Sequence, residues 1–147
     1  MTSSNLVLVD ANVIIYAHQA LSEFHVDSKA ILEKGRKGEL PLCVCPQVLN
    51  EFYAVVTSAR RVSQPASPED ARTEIEKFYK AKHIEKIYPN DLTIKTVLDL
   101  LEQHRVKSHD IFDLYLAATM LSNRIGKIYT FNEDDFSRFS GIEVLIP

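Results

Sequence analysis

Short apolar runs alternate with longer amphipathic segments along this chain. Four runs have the length of a strand: Leu6–Val9, Pro41–Cys45, Lys127–Thr130 and Ile142–Ile146. Apolar residues at helical spacing predict helices over Val26–Lys37, Pro46–Arg61, Pro68–His83, Asp91–Val106 and Ile111–Ile125, with a short one over Asp134–Phe139. Apolar strands that alternate with helices are typical of a parallel sheet covered on both faces. We therefore predict an α/β fold with a central parallel sheet of four to five strands.

The chain length and the linkers favour one domain over residues 1–147. A chain of 147 residues is long enough to bury one substantial core. The segment Val62–Pro68 is the one stretch of linker composition, and its length predicts a turn between two helices. Ser67 and Pro68 form a helix-start pattern with Glu69 and Asp70.

Composition excludes several classes of protein. Apolar residues make up 46% and charged residues 25%, which excludes a disordered, collagen-like or coiled-coil chain. No apolar run approaches the roughly 18 residues that span a bilayer, and the N-terminal segment reaches a charge too early for a secretory signal. We expect a cytoplasmic protein without membrane association. Cys43 and Cys45 alternate along one run and are predicted to be core thiols.

The first strand ends at an acid. Asp10 follows it directly, and ligands of parallel sheets bind beyond the carboxyl ends of the strands. Asn12 could hydrogen-bond a neighbouring acid or a phosphate. The alternative is that Asp10 only caps the helix that follows it.

Two further acids fall on apolar helices. Glu51 lies at the margin of an apolar stripe, where a carboxylate is unfavourable unless it is paired or reaches water. Asp113 is the only ionisable residue of segment 111–121 besides Tyr115. A structural alternative makes Asp110 the N-cap and places Asp113 in the first helical turn. His109, just before them, is either a substrate contact or merely solvated.

Acids also follow the strand that ends at Thr130. Glu133, Asp134 and Asp135 could cap a short helix, but Asp135 adjoins Phe136 and is expected to turn inward. Carboxylates gathered at one end of a sheet repel one another unless a cation is present. Oxygen ligands suit Mg²⁺ or Mn²⁺, and such a site can hydrolyse phosphodiesters.

The sequence resembles the PIN-domain ribonucleases of the VapC toxin type over nearly its whole length. The resemblance lies in VDANVIIYA at residues 9–17, NEF at 50–52, IFDLYLAATML at 111–121, YTFNEDDF at 129–136 and GIEVLIP at 141–147. Each segment alone is a weak motif, and their order and spacing make the combination specific.

The resemblance implies a set of site residues. The acids that bind one or two Mg²⁺ or Mn²⁺ ions and carry catalysis would be Asp10, Glu51, Asp113 and Asp135. Supporting polar positions would be Asn12, Thr130 and Asn132, with Asp110 as an additional acid. Family members differ in the fourth acid, so Asn132 and Asp134 compete with Asp135 for that position.

The resemblance also implies partners. The substrate would be single-stranded segments of a structured RNA such as tRNA or rRNA. A VapB-type antitoxin would block the acidic site through its C-terminal segment, and the chain would form a homodimer. Arg105 and Lys107 precede Asp110 and are the preferred contacts to the RNA backbone.

Net charge is compatible with this reading. The chain carries 17 Lys and Arg against 20 Asp and Glu, for a net charge of −3, so it has no global positive field. If four acids hold metal, 16 acids remain against the 17 basic residues, a balance of +1. The negative charge therefore does not exclude an RNA substrate.

Four other functions are alternatives to a VapC-type toxin. A haloacid-dehalogenase-type phosphatase needs a second aspartate where this chain has Asn12. A receiver-type signalling module needs two adjacent acids after the first strand and a lysine after the last, and neither is evident. The remaining two are a PIN domain that only binds, and a PIN nuclease that processes RNA outside a toxin–antitoxin pair.

Overall fold

The computed structural model describes residues 4–147, and the first three residues of the N-terminal segment considered above lie outside it. The strands are β1 (Val7–Val9), β2 (Leu42–Val44), β3 (Glu85–Lys86), β4 (Lys127–Tyr129) and β5 (Glu143–Leu145). The helices are α1 (Ala11–His18), α2 (His25–Arg36), α3 (Pro46–Val56), α4 (Pro68–Lys80), α5 (Thr93–Gln103), α6 (Asp110–Ser122) and α7 (Glu133–Phe136).

All five strands are parallel and lie in the order β3-β2-β1-β4-β5. β1 is central, with Val7 paired to Leu42 on one side and to Lys127 on the other. Each residue of β1 and β2 is buried. The predicted α/β fold with a parallel sheet is therefore confirmed.

The strand order explains how the helices are divided. Parallel connections are right-handed, so a chain that moves from β1 to β2 and then to β3 places its helices on one face. The connections from β3 to β4 and then to β5 run the other way across the sheet. Accordingly, α1 packs on α2 and α3, α3 packs on α4, and α5 and α7 pack on α6.

This change of direction occurs between β1 and β4. The loops that leave these neighbouring strands diverge to opposite faces and open a crevice beyond the carboxyl ends of the strands. Asp10 and Thr130 follow the two strands directly. The topology thus places these two residues side by side at the crevice.

Several predicted boundaries were wrong in detail. α3 ends at Val56 instead of Arg61, because the chain turns after Thr57. The Ser58 amide donates to the Val55 carbonyl at 3.1 Å, and the Ala66 amide of the returning loop donates to the Val56 carbonyl at 2.7 Å. The helices predicted over 68–83, 91–106 and 111–125 each end three residues earlier than expected. Segment 62–68 is the predicted turn between helices, and its Ser67 hydroxyl accepts from the Asp70 amide at 3.1 Å.

The two cysteines are free and buried in neighbouring positions of the sheet region. Burial raises the pKa of the Cys43 thiol to about 12, and burial also raises the pKa of Cys45. Both are core thiols, as predicted.

Among residues 4–147, no helix is long and apolar enough to cross a bilayer.

One close approach of helix to sheet depends on a glycine. Gly35 lies buried in α2, and a Cβ added there would come within 2.9 Å of Leu42 Cγ and 3.3 Å of Leu42 Cβ. Leu42 is fully buried in β2, so its inner atoms have no space to move into. The absence of a side chain at this position therefore lets α2 pack directly on the strand.

We expect Gly35→Ala to lower the free energy of unfolding by about 1 to 2 kcal/mol, because overpacking outweighs the better helix propensity of alanine. Urea denaturation measures the change. The matched control is Lys34→Ala on the exposed side of α2, which should shift stability by no more than about 0.5 kcal/mol. A Gly35→Ala protein as stable as the control variant would contradict this account.

Candidate active site

Asp10 lies at the centre of the crevice. It is the N-cap of α1, and its Oδ1 accepts a hydrogen bond from the Ala11 amide at 2.7 Å. Only 6% of the residue is exposed, although a carboxylate is rarely buried this far without a cationic partner. The capping role considered from the sequence is therefore real, but it accounts for only one of the two carboxylate oxygens.

The second oxygen is held by Thr130 at the end of β4. The Thr130 hydroxyl donates to Asp10 Oδ2 at 2.8 Å and accepts from Asn12 Nδ2 and from the Asn132 amide, both at 3.0 Å. Because two donors occupy its oxygen, the single hydroxyl proton is directed at Asp10. Asn12 in turn accepts from the Phe131 amide at 3.3 Å, which ties α1 to the segment after β4. The supporting residues predicted from the sequence thus form one network around Asp10.

Two acids from helices face the same space. A cleft of about 470 Å³ is lined by Glu51 of α3 and Asp113 of α6 together with Asp10, Asn12 and Asn132. Asp113 is half-buried, whereas Glu51 is exposed on its helix. The structure therefore brings three of the four predicted acids to one cavity.

The fourth acid lies on α7. Asp135 is half-buried while its neighbour Asp134 is exposed, in agreement with the expectation that Asp135 turns inward beside Phe136. The negative charge of Asp135 acts on both Asp10 and Asp113. Asp135 is therefore near the acids of the cleft, although Asn132 is the residue of this segment that lines it.

The clustered carboxylates resist ionisation. Burial raises the pKa of Asp10 to about 6, against the hydrogen bonds from Thr130 and Ala11, and the charges of Glu51 and Asp135 raise it further. Burial also raises the pKa of Asp113 to about 6, with additional repulsion from Asp135, Asp10 and Asp110. The pKa of Glu51 is raised by the loss of solvent around its carboxyl and by the charge of Asp113.

Within residues 4–147, no basic side chain neutralises these acids by direct contact. The ion pairs in the described part of the chain all lie on the surfaces of α4 and α5. Arg61 and Arg138 lower the pKa of Glu51 and Asp113, respectively, but neither forms an ion pair with them. The cleft therefore holds net negative charge.

This donor set suits a cation that keeps much of its water. Within residues 4–147, no three His, Cys, Asp or Glu side chains are close enough together to hold an ion by themselves. Mg²⁺ commonly binds through one or two carboxylates and completes its shell with water and substrate phosphates. Hard oxygen donors without basic partners fit Mg²⁺ or Mn²⁺ in that form.

Other predicted residues lie outside the cleft. α6 begins at Asp110 with His109 in the N-cap position, so the structural alternative is wrong in making Asp110 the N-cap but confirmed in placing Asp113 in the first helical turn. Asp110 is exposed and acts on Asp113 only through its charge. Arg105 and Lys107 lie on the exposed loop before α6 and do not line the cleft, so any RNA contact they make lies beyond it.

Several residues that line the cleft were not predicted from the sequence. Tyr16 follows Asn12 at helical spacing along the same face of α1, and that periodicity could have identified it. Gln19 lies just beyond the end of α1. Ser22, Arg61 and Ser63 come from loops, where no periodic signal exists.

An aromatic cluster supports one side of the cleft. The ring of Tyr16 lies 5.0 Å from that of Phe24 and 5.3 Å from that of Phe131, and the last two are 4.5 Å apart, measured between centroids. These contacts pack the end of α1 against the segment that carries Asn132. They hold the cleft lining of α1 in a fixed position relative to β4.

Known proteins resemble this chain in sequence and in fold. A PIN domain matches residues 7–142. Ribonuclease VapC43 of Mycobacterium tuberculosis is 31% identical over 118 residues, which cover 80% of each chain. The crystal structure of Mycobacterium tuberculosis VapC20, a sarcin-ricin loop cleaving toxin, has a TM-score of 0.70 at 15% identity and covers 96% of this chain and 99% of its own. VapBC2 from Rickettsia felis, bound to a DNA fragment from their promoter, has a TM-score of 0.66 at 15% identity and covers 97% of this chain and 98% of that one. The chain therefore belongs to the PIN-domain family and, within it, to the VapC-type ribonuclease toxins.

Proposed function

We propose that the protein is an endoribonuclease that depends on Mg²⁺ or Mn²⁺ and cuts phosphodiester bonds in a structured cellular RNA, such as a tRNA or rRNA. The observation that carries this proposal is the shared cleft of Asp10, Glu51 and Asp113, with Asp135 close enough to repel two of them. The high pKa values of Asp10 and Asp113 reflect their burial first and, in addition, the negative charge of neighbouring acids that the protein does not compensate. A divalent cation would remove that repulsion.

The four acids would hold the cation partly through bound water, because no three of them within residues 4–147 lie close enough to bind it by themselves. The surrounding polar residues would keep them in place. When bound, a divalent cation acidifies water and stabilises the negative charge that develops on a phosphodiester during hydrolysis. Thr130 and the Ala11 amide fix both oxygens of Asp10, so that carboxylate does not need to reorient during the reaction. Asn12 and Asn132 line the cleft and can donate to phosphate oxygens.

The solved structures support a proposal about the cellular setting. A toxin–antitoxin complex from Klebsiella pneumoniae has a similar fold, with a TM-score of 0.63 at 16% identity, and we infer that a VapB-type antitoxin neutralises this chain in the cytoplasm. A homodimer is expected as well. Exposed aromatic side chains, namely Tyr79, Tyr88 and Phe112, supply apolar surface for protein partners.

Cleavage should require the acids and the cation together. Asp10→Asn, Asp113→Asn and Asp135→Asn should each lower RNA cleavage by about 100-fold or more, because each removes a charge that holds the cation. The assay follows total cellular RNA with Mg²⁺ or Mn²⁺, with and without EDTA, and maps the cut ends.

Asp134→Asn is the matched control for this set, because it removes an equal charge from the exposed neighbour of Asp135. It should retain cleavage. Cleavage that persists in EDTA, or full activity in both Asp10→Asn and Asp113→Asn, would contradict the mechanism. Loss of cleavage in Asp134→Asn with activity retained in Asp135→Asn would move the fourth acid by one position.

The hydroxyl of Thr130 should be needed for activity. Thr130→Val removes the donor to Asp10 Oδ2 and leaves Asn12 Nδ2 and the Asn132 amide without their acceptor, so kcat/KM should fall about 10- to 100-fold. Thr130→Ser keeps the hydroxyl and should retain most of the activity. Equal activity in the two variants would show that the hydroxyl is not needed, and activity that is kept in Thr130→Val but lost in Thr130→Ser would assign the role to the methyl group.

The acids should also make stability depend on pH. The pKa of Asp113 is about 6 in the folded protein against an ordinary value of 3.8, so its proton is held more tightly when the chain is folded. The free energy of unfolding should therefore fall as pH rises from about 4 to about 6, and the loss should be complete above that range. Asp113→Asn removes the cost of ionising this carboxyl in the folded protein. The variant should therefore be about 1 to 2 kcal/mol more stable than the wild type at neutral pH in EDTA.

Urea unfolding of both proteins across this pH range measures the effect. The difference between them should shrink toward zero near the acidic end of the range. Mg²⁺ should raise the stability of the wild type more than that of the variant. A variant that is less stable than the wild type at neutral pH would show that Asp113 stabilises the fold by contacts instead.

A further inference from the structure

One basic residue lies in the acidic cleft. Among the residues of the described chain that line it, Arg61 is the only cation, beside Asp10, Glu51 and Asp113. The sequence does not distinguish it from Arg60, since both fall in the segment that was expected to continue α3.

The backbone of the loop after α3 determines where Arg61 lies. The helix ends at Val56, and the amides of Arg61 and Val62 donate to the Ser58 carbonyl at 3.0 and 3.1 Å. The Ala66 amide then returns to the Val56 carbonyl at 2.7 Å. The loop is thus folded back on the end of the helix that carries Glu51 and Val55, and both of these residues line the cleft with Arg61.

The guanidinium of Arg61 is near an acid but is not neutralised by one. Its charge lowers the pKa of Glu51, yet it forms no ion pair with any carboxylate in residues 4–147. The residue is exposed, so its five N–H donors remain available to an anion. Ser63, Gln19 and Ser22 line the same cleft and add neutral hydrogen-bonding groups.

These features place a candidate phosphate-binding side chain next to the candidate cation site. A guanidinium binds phosphate oxygens in pairs, and it is favoured where a phosphate must be oriented. An RNA strand in the cleft presents successive phosphates. The cation held by the acids would neutralise the phosphate that is cut, and the neighbouring phosphates would then lack a positive partner. We infer that Arg61 binds an RNA phosphate adjacent to the one that is cut and so positions the strand. This inference rests on the proposed ribonuclease function.

Binding should be measured separately from cleavage. The parent for this test is Asp113→Asn with Mg²⁺, which is expected to bind RNA without cutting it. The probe is a short fluorescein-labelled single-stranded RNA, followed by fluorescence anisotropy over a series of salt concentrations. Arg61→Ala added to this parent should weaken binding about tenfold. It should also reduce the slope of log affinity against log salt by about 0.7, the value for one phosphate contact on a single strand.

Two variants control for charge and for folding. Arg60→Ala removes an adjacent, exposed charge that does not line the cleft, and it should leave the affinity and the salt slope unchanged. Arg61→Lys keeps the charge but loses the paired donors, so its affinity should lie between those of the parent and Arg61→Ala. Since Arg61 is exposed and forms no ion pair in the described chain, the urea midpoint of Arg61→Ala should match that of the parent.

The outcomes separate this inference from the proposed function. Equal binding by Arg61→Ala and Arg60→Ala would overturn the role of Arg61, even if the wild type cuts RNA as proposed. A wild type that binds RNA through Arg61 but never cuts it would contradict the nuclease activity and support the phosphate contact. A parent that binds no RNA would contradict both. In the cleaving protein, Arg61→Ala should raise KM more than it lowers kcat.

Discussion

The hydrogen bond from Thr130 to Asp10 joins the ends of two neighbouring strands and fixes a carboxylate that water scarcely reaches. It depends on the register of the sheet, because Val9 pairs with Tyr129 and the next residue of each strand therefore meets the other. It also depends on the strand order, since only a change of direction between β1 and β4 opens a crevice at that point. The position of Asp10 is thus set by the whole sheet and not by its own segment.

A site built in this way lowers the stability of the fold. Burial and mutual repulsion both oppose ionisation of Asp10 and Asp113, so near neutral pH the acids cost stability that the apolar core must offset. That core includes every residue of β1 and β2 and five residues of α6, namely Leu114, Leu116, Ala117, Ala118 and Met120. A rigid, apolar framework beneath a strained polar site is a common arrangement in enzymes, because the site must keep its geometry while its charges favour separation.

The sequence predicted those features that depend on regular periodicity. The apolar runs identified four of the five strands, but β3 has only two residues, both charged, between the buried Ile84 and Ile87. The acids Asp10 and Asp113 could be singled out because they interrupt strongly apolar segments, and the inward turn of Asp135 could be expected from its apolar neighbour Phe136. The end of α3 could not be predicted, because a returning loop that bonds to the Val56 carbonyl through the Ala66 amide terminates it instead of a proline or glycine. Arg61 was consequently passed over, and Arg105 and Lys107 were chosen by their closeness in sequence to Asp110, which does not measure distance to a cleft.

The two buried cysteines offer a way to observe motions of the sheet. A thiol reacts with alkylating and disulfide reagents as the thiolate, and burial keeps Cys43 and Cys45 almost entirely in the neutral form. Cys43 lies within β2 and is fully buried, so reagent can reach it only when that strand separates from its neighbours, whereas Cys45 follows the strand and lines an adjoining cleft. The rate at which Cys43 is labelled in the native protein therefore reports how often the sheet opens, independently of RNA, cation or antitoxin.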